Sequence, residues 1–170
     1  LPNVTSTDPS CNGGNNGTAT ANPTGGSGVY VNFAWSSSAN NTSTETGLSP
    51  GSYTVTVTDN TGCTNTENFV IGNPALLATS LSVTPILCFG TNTGSIIQTP
   101  SGGNPPYTFA WNDSPTSQNR NKRFAGDYTV TVTDNNGCTT VSSASVSQPA
   151  ILAYSSASNN VTCNGGNDGS

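Results

Sequence analysis

The sequence states one pattern twice and begins it a third time. Residues 53–64 read YTVTVTDNTGCT and residues 128–139 read YTVTVTDNNGCT, a difference at one position in twelve. Cys11 opens CNGGNNG, Cys88 opens CFGTNTG and Cys163 opens CNGGNDG. The interval is 77 residues from Cys11 to Cys88 and 75 from Cys88 to Cys163, with the surplus between Gly26 and Tyr53. A fixed period of this size marks a tandem array in which each repeat is one folded unit. Arrays span distance or present surface, which points away from a single catalytic pocket. The expected organisation is one repeat over residues 1–74, a second over 75–149, and the first strand of an incomplete third over 150–170. Pro74-Ala75 and Pro149-Ala150, at matching positions, mark the junctions, and the absence of a long Gly/Ser linker there predicts a fairly stiff array.

Alternation decides what each unit folds into. Tyr53, Val55 and Val57 alternate with Thr54, Thr56 and Thr58, which predicts a half-buried antiparallel strand with one apolar and one hydroxylated face. Asp59-Asn60-Thr61-Gly62 and Asp134-Asn135-Asn136-Gly137 then supply hairpin-turn chemistry, and the chain is expected to return through Phe69 and Ile71, or Ala144 and Val146. Val31-Phe33-Trp35 and Tyr107-Phe109-Trp111 alternate in the same way after paired glycines, with Trp35 and Trp111 as core anchors. Only 6% of residues are charged and 31% are hydrophobic. Disordered chains combine low hydrophobicity with high charge, so this composition, with its patterned apolar runs, favours folding. The expectation is all-β: tandem immunoglobulin-like antiparallel β-sandwiches of about 75 residues, without helices.

A unit this small buries only about 60% of its unfolded surface and gains from a covalent staple. Five cysteines are present. Pairing inside each repeat gives Cys11–Cys63 and Cys88–Cys138, leaving Cys163 to a partner beyond the sequence. Each such bridge closes a loop of about 50 residues, worth roughly 4 kcal/mol in the chain-entropy model. A rival pairing, Cys63–Cys88, links neighbouring repeats. Zinc is disfavoured, because no short CxxC spacing occurs and histidine is absent.

The same absence excludes Ser-His-Asp and Cys-His mechanisms. Asp59 and Asp134 occupy one turn position in both repeats, where an Asp caps its own backbone, and no carboxylate pair advertises a cleft. No enzyme is expected, and no cofactor; calcium is the one candidate ion, at the oxygen-rich clusters Asp59-Asn60, Asp134-Asn135 and Asn167-Asp168. A net charge of −5 with three basic residues disfavours nucleic acid and anionic membranes, and no apolar run reaches the length of a membrane span. The basic residues cluster as Arg120, Lys122 and Arg123, and Glu45 stands at the matching place in the first repeat. These four residues form a candidate assembly contact. Asn3, Asn16, Asn40, Asn41, Asn112 and Asn160 begin N-x-S/T sequons, candidate glycan sites. With neither an initiator Met nor a signal peptide, the chain is expected to be a segment of a longer secreted protein.

The combination of CNGGNDG, then GG-x-x-PYTFAW, then G-x-YTVTVTDNNGCT resembles the SprB repeat of cell-surface gliding adhesins from Bacteroidetes-type bacteria. The resemblance spans almost the whole chain. The first repeat departs from it with GSGVYVNFAW, and Cys88 is followed by FGTNTG. It implies an extracellular bacterial surface protein concerned with adhesion, gliding motility or fibril formation, and supplies no catalytic residues. The expected function is a non-catalytic structural and adhesive segment forming an extended rod. Its expected partners are copies of itself and surface or glycan ligands. The alternative is an array of carbohydrate-binding β-sandwich modules, which would carry exposed aromatics on a flat face.

Overall fold

The structure, a computed structural model, describes residues 2–158. It is all-β, with twelve strands and no helix among the described residues. The first six are β1 (Val4–Thr7), β2 (Gly17–Ala21), β3 (Tyr30–Trp35), β4 (Thr44–Leu48), β5 (Gly51–Asp59) and β6 (Thr64–Ile71). They form two antiparallel three-stranded sheets, ordered β1-β2-β4 and β3-β5-β6. The second six are β7 (Ala78–Thr84), β8 (Gly94–Ser101), β9 (Thr108–Trp111), β10 (Arg120–Arg123), β11 (Gly126–Thr133) and β12 (Thr139–Val146). They repeat the arrangement as β7-β8-β10 and β9-β11-β12. Each pair of sheets encloses its own core, which makes two tandem immunoglobulin-like sandwiches.

The alternating runs form the central strands. Val55 and Val57 of β5, and Val130 and Val132 of β11, are buried while the intervening threonines lie at partial exposure. Trp35 and Trp111 are buried, and each indole N–H donates to a backbone carbonyl, Thr42 at 2.9 Å and Ser117 at 2.9 Å. Ile71 and Val146 close the cores from β6 and β12, as the hairpin reading expects. Tyr53 and Tyr128 each donate their hydroxyl to a carbonyl four residues upstream, Ser49 at 2.8 Å and Phe124 at 3.1 Å. Such corners lock the entry to a strand in immunoglobulin-like sandwiches.

The cores differ in where their bulk resides. In the first, β2 presents Ala19 and Ala21, and Phe69 packs edge-on to Trp35 and stacks on Tyr53. In the second, β8 presents Ile96 and Gln98, and Ala144 stands where Phe69 does. Close packing permits such exchanges when total volume is kept. One expectation fails locally. Val31 is exposed, because the register of β3 on β5 shifts between Tyr30 and Asn32. The bulge absorbs one extra residue relative to the second repeat, so Tyr30, not Val31, joins Phe33 and Trp35 against the core. Residues 150–158 form no strand, and residues 159–170 lie outside the described residues.

Candidate functional site

Besides the peptide connector itself, a disulfide between Cys11 and Cys138 binds the two sandwiches covalently. Neither expected pairing within a repeat forms: Cys63 and Cys88 are free and exposed. Strand direction explains the correction. Cys11 follows β1, and its loop is held at the end of β6, where the Gly72 N–H donates to Asp8 at 2.6 Å and the Gly13 N–H donates to Asn73 at 2.9 Å. Cys63 lies at the other end of the same strands, beyond the Thr58/Thr64 pair. Eight paired positions separate these ends, about 25 Å at the rise of a strand, whereas a disulfide needs Cα atoms within about 7 Å. Cys88 and Cys138 are separated by β11 and β12 in the same manner. The rival Cys63–Cys88 pairing fails too, since Cys63 lies at the leading end of the first sandwich and Cys88 at the trailing end of the second, both remote from the junction. Cys11 and Cys138 instead meet where the trailing end of one sandwich abuts the leading end of the next, with Cα atoms 5.7 Å apart.

Hydrogen bonds surround the bridge. Asn136 Nδ2 donates to the Ser10 carbonyl at 2.9 Å, and Asn12 Nδ2 donates to the Pro74 carbonyl at 2.7 Å. The Gly103 N–H donates to the Ala75 carbonyl at 3.1 Å, laying the connecting segment on the second repeat's Gly-Gly turn. Gly102, at φ 66°, has the Leu76 carbonyl where a Cβ would stand, so only glycine allows this approach. Leu77 then enters the second core, 6% exposed. A connector that is hydrogen-bonded, buried at one residue and flanked by a disulfide holds the sandwiches end to end.

The hairpin that presents Cys138 is shaped by Asp134. Its Oδ1 accepts the N–H groups of Asn136 and Cys138, both at 2.9 Å, and its Oδ2 accepts that of Asn104 at 2.8 Å. Asp59 does the same with Thr61, Cys63 and Ser27. The Thr61 hydroxyl and the Ser27 N–H, with further N–H donors, hold the Asp59 carboxyl far below the usual carboxylate range. The Asn104 N–H, followed by those of Cys138, Asn136 and Gly137, lowers that of Asp134 despite the opposing effect of burial. Both carboxylates are therefore engaged by their own turns. No group of three or more candidate metal ligands occurs among the described residues, and Asn167-Asp168 lies outside them.

The candidate assembly contact is corrected at two of its four residues. Glu45 and Arg120 are buried, 3% and 4% exposed, at the same place on β4 and β10. Glu45 accepts from Ser37 Oγ and Asn40 Nδ2, both at 3.1 Å. Arg120 bonds Asp113 and lies 5.8 Å from the Trp111 ring centroid. Burial alone would raise the Asp113 carboxyl, but the Arg120 bond and charge, then those of Arg123 at 2.9 Å, outweigh it and lower it. Lys122 is exposed and Arg123 half-buried. Both strands are sheet edges, where inward-pointing charge opposes further strand pairing. Of the sequons, Asn3, Asn16, Asn40, Asn41 and Asn112 are exposed, and Asn160 lies outside the described residues. The buried tryptophans provide no flat aromatic platform, and no helix among the described residues is long and apolar enough to cross a membrane.

Residues 3–40 and 80–116 match the model of a family described as the SprB repeat. The two segments carry the CNGGNNG and CFGTNTG motifs and run past the FAW strands, while the YTVTVTD strands lie outside them. Among solved structures, the three N-terminal domains of the highly immunogenic outer capsid protein (Hoc) of bacteriophage RB49 are similar in fold. The TM-score is 0.51 at 20% identity, over 86% of this chain and 57% of that one. The C-terminal 282-residue fragment of intimin, solved with the intimin-binding domain of its translocated receptor, gives a TM-score of 0.44 at 16% identity, over 86% of this chain and 63% of that one. The chain thus spans less than two thirds of either. No curated protein matches the sequence.

Proposed function

The chain is built of tandem SprB-type repeats, and from that premise we propose that it is a non-catalytic segment of a secreted bacterial surface protein, an extended rod that positions adhesive surface away from the cell. The observation that carries this reading is the junction. A bridge between Cys11 and Cys138, a hydrogen-bonded connector and the buried Leu77 join the sandwiches by their ends, and each element resists bending or separation. The reading differs from the sequence expectation in one mechanical respect: the staple belongs to the junction between repeats, not to the interior of each. A disulfide in that place suits an oxidising, extracellular setting. Weak contacts from exposed Thr and Ser faces become effective when presented many times along a stiff rod.

Small-angle X-ray scattering of the oxidised chain tests the rod. Two sandwiches end to end, each about 35 Å long, give a maximum dimension of about 70 Å. Reduction, or Cys138→Ser, is expected to broaden the distance distribution as the junction loosens. A compact side-by-side profile, or an oxidised profile as broad as the reduced one, overturns the reading.

A further inference from the structure

A complete junction has two halves. The trailing half comprises a loop cysteine after the first strand and a Pro-Ala-apolar-apolar connector. The leading half comprises an Asp-pinned hairpin cysteine and a Gly-Gly turn. Among the described residues there is one closed junction, and the outward faces of the two sandwiches carry one further half of each kind.

The unmatched trailing half is on the second repeat. The Gly90 N–H donates to Gln148 Oε1 at 3.0 Å, reproducing the bond from Gly13 to Asn73. Residues 149–152 follow with the spacing of residues 74–77. Leu152, in the place of buried Leu77, is 96% exposed. Cys88 is free and exposed in a groove lined also by Leu87, Phe89 and residues 149–152. The loop is therefore already folded into the shape that Cys11 has in the closed junction, with apolar side chains uncovered around it.

The unmatched leading half is on the first repeat. Cys63 is free and exposed on a hairpin whose Asp59 makes the bonds that Asp134 makes. It borders a groove lined by Pro23, Gly25, Gly26, Tyr30 and Asp59. Gly25 holds the positive φ of Gly102, with open space where Gly102 meets the connector.

We propose that these halves are complementary docking surfaces for another copy of this repeat, and that Cys88 of one copy forms a disulfide with Cys63 of the next. The inference rests on the proposed function and on the geometry of the closed junction, and extends the rod from one pair of repeats to a series. One difference shapes the new contact. Thr61 stands where Asn136 reaches the Ser10 carbonyl, and Leu87 and Phe89 replace Ser10 and Asn12, so this junction relies more on apolar burial and the bridge. The oxidant is a low-molecular-weight disulfide such as oxidised glutathione. The Cys88 thiolate attacks it, forming a mixed disulfide and releasing one glutathione. The Cys63 thiolate of the second copy then attacks the Cys88 sulfur and expels the other. Two protein thiols are oxidised, one small disulfide is reduced, and their protons pass to the released thiolates.

The test is incubation of the full chain, carrying Cys163→Ser, in a glutathione redox buffer, followed by non-reducing electrophoresis and mass spectrometry of chymotryptic peptides. The expected result is a ladder of linear multimers with the Cys63–Cys88 link enriched about tenfold over Cys63–Cys63 and Cys88–Cys88 links, because docking places only the unlike pair together. Cys63→Ser and Cys88→Ser variants are each expected to stay monomeric and, when mixed, to stop at a dimer. Links in the proportions of random collision, or no links at all, overturn the proposal. Either result leaves the scattering test standing, since that test concerns the junction inside one chain.

Discussion

Removing Cys138 separates the junction staple from any staple within a repeat. When the second sandwich unfolds alone, the folded first sandwich still holds Cys11 beside Gly72 and Asn73. The bridge then closes a loop from that anchor to Cys138 of roughly 65 residues, worth about 4 kcal/mol in the chain-entropy model. When the first sandwich unfolds alone, the loop runs from Cys11 to the connector pinned at Ala75 and is again roughly 65 residues, so the same figure of about 4 kcal/mol applies. A single bridge at the junction, with Cys138 packed against the second core, thus stabilises both. Cys138→Ser and Cys11→Ser are expected to lower the urea midpoints of both repeats, by up to about 4 M at a slope of about 1 kcal/mol per molar for units this small. Cys63→Ser and Cys88→Ser are expected to leave the monomer unchanged. The assay is equilibrium urea denaturation with unpaired thiols alkylated, followed by Trp35 and Trp111, one indole in each core. Bridges inside the repeats would yield a similar magnitude but a different pattern, with each cysteine variant weakening one repeat only. If Cys63→Ser costs as much as Cys138→Ser, or if Cys138→Ser costs nothing, the junction reasoning fails.

Two further outcomes follow from side-chain environment. The Asp59 and Asp134 carboxyls are depressed in the fold below their ordinary value of 3.8, so the unfolded chain binds more protons as the pH falls. The stability they contribute is present in full above about pH 4 and is lost below it as each folded carboxyl protonates. The urea midpoint is expected to be flat from neutrality to about pH 5 and to fall below pH 4, and the double variant Asp59→Asn, Asp134→Asn to flatten that fall; an equally steep acid limb in the double variant would refute the assignment. Arg120→Ala removes a buried cation from Asp113 and from the Trp111 ring, and is expected to destabilise the second repeat by about 2 kcal/mol, since Asp113 is partly exposed and keeps Arg123. A variant with unchanged urea midpoint but weakened self-association would instead restore Arg120 to an assembly surface.

The legible part of this fold was the part governed by local chemistry. Tyr53 to Thr58 announces a strand through a period of two, and Asp59 to Gly62 announces a turn because Asp accepts N–H bonds two and four residues on. Trp35 and Trp111 could be placed inside because so small a chain has few other large anchors. The bulge at Val31 was hidden because alternation is blind to an inserted residue until its partner strand is known. Glu45 and Arg120 were misplaced for a related reason. In short polar strands, an inward charge that protects a sheet edge has the same sequence appearance as a solvated loop. The difference of one length unit between the CNGGNNG and FAW segments of the two repeats was the available clue to the bulge; nothing comparable marked the buried charges.

The cysteines failed for a deeper reason. Sequence spacing suggested that two cysteines per repeat should meet within the repeat, but direction opposes it. One follows the first strand and lies at the trailing end of the sandwich, while the other sits on a hairpin at the leading end. In a tandem array, the trailing end of each unit abuts the leading end of the next, so a period of identical units brings unlike cysteines together once per boundary. The staple is thereby a property of the array, and a lone repeat would display both of its cysteines unpaired, as Cys63 and Cys88 are displayed here. The same logic distributes the work of Asp134 and Gly102: one shapes the hairpin that offers the thiol, and the other admits the connector that brings the neighbour within reach. Each is a folding element within its own repeat and a joining element between two, which is why the unit can be copied without a separate linker.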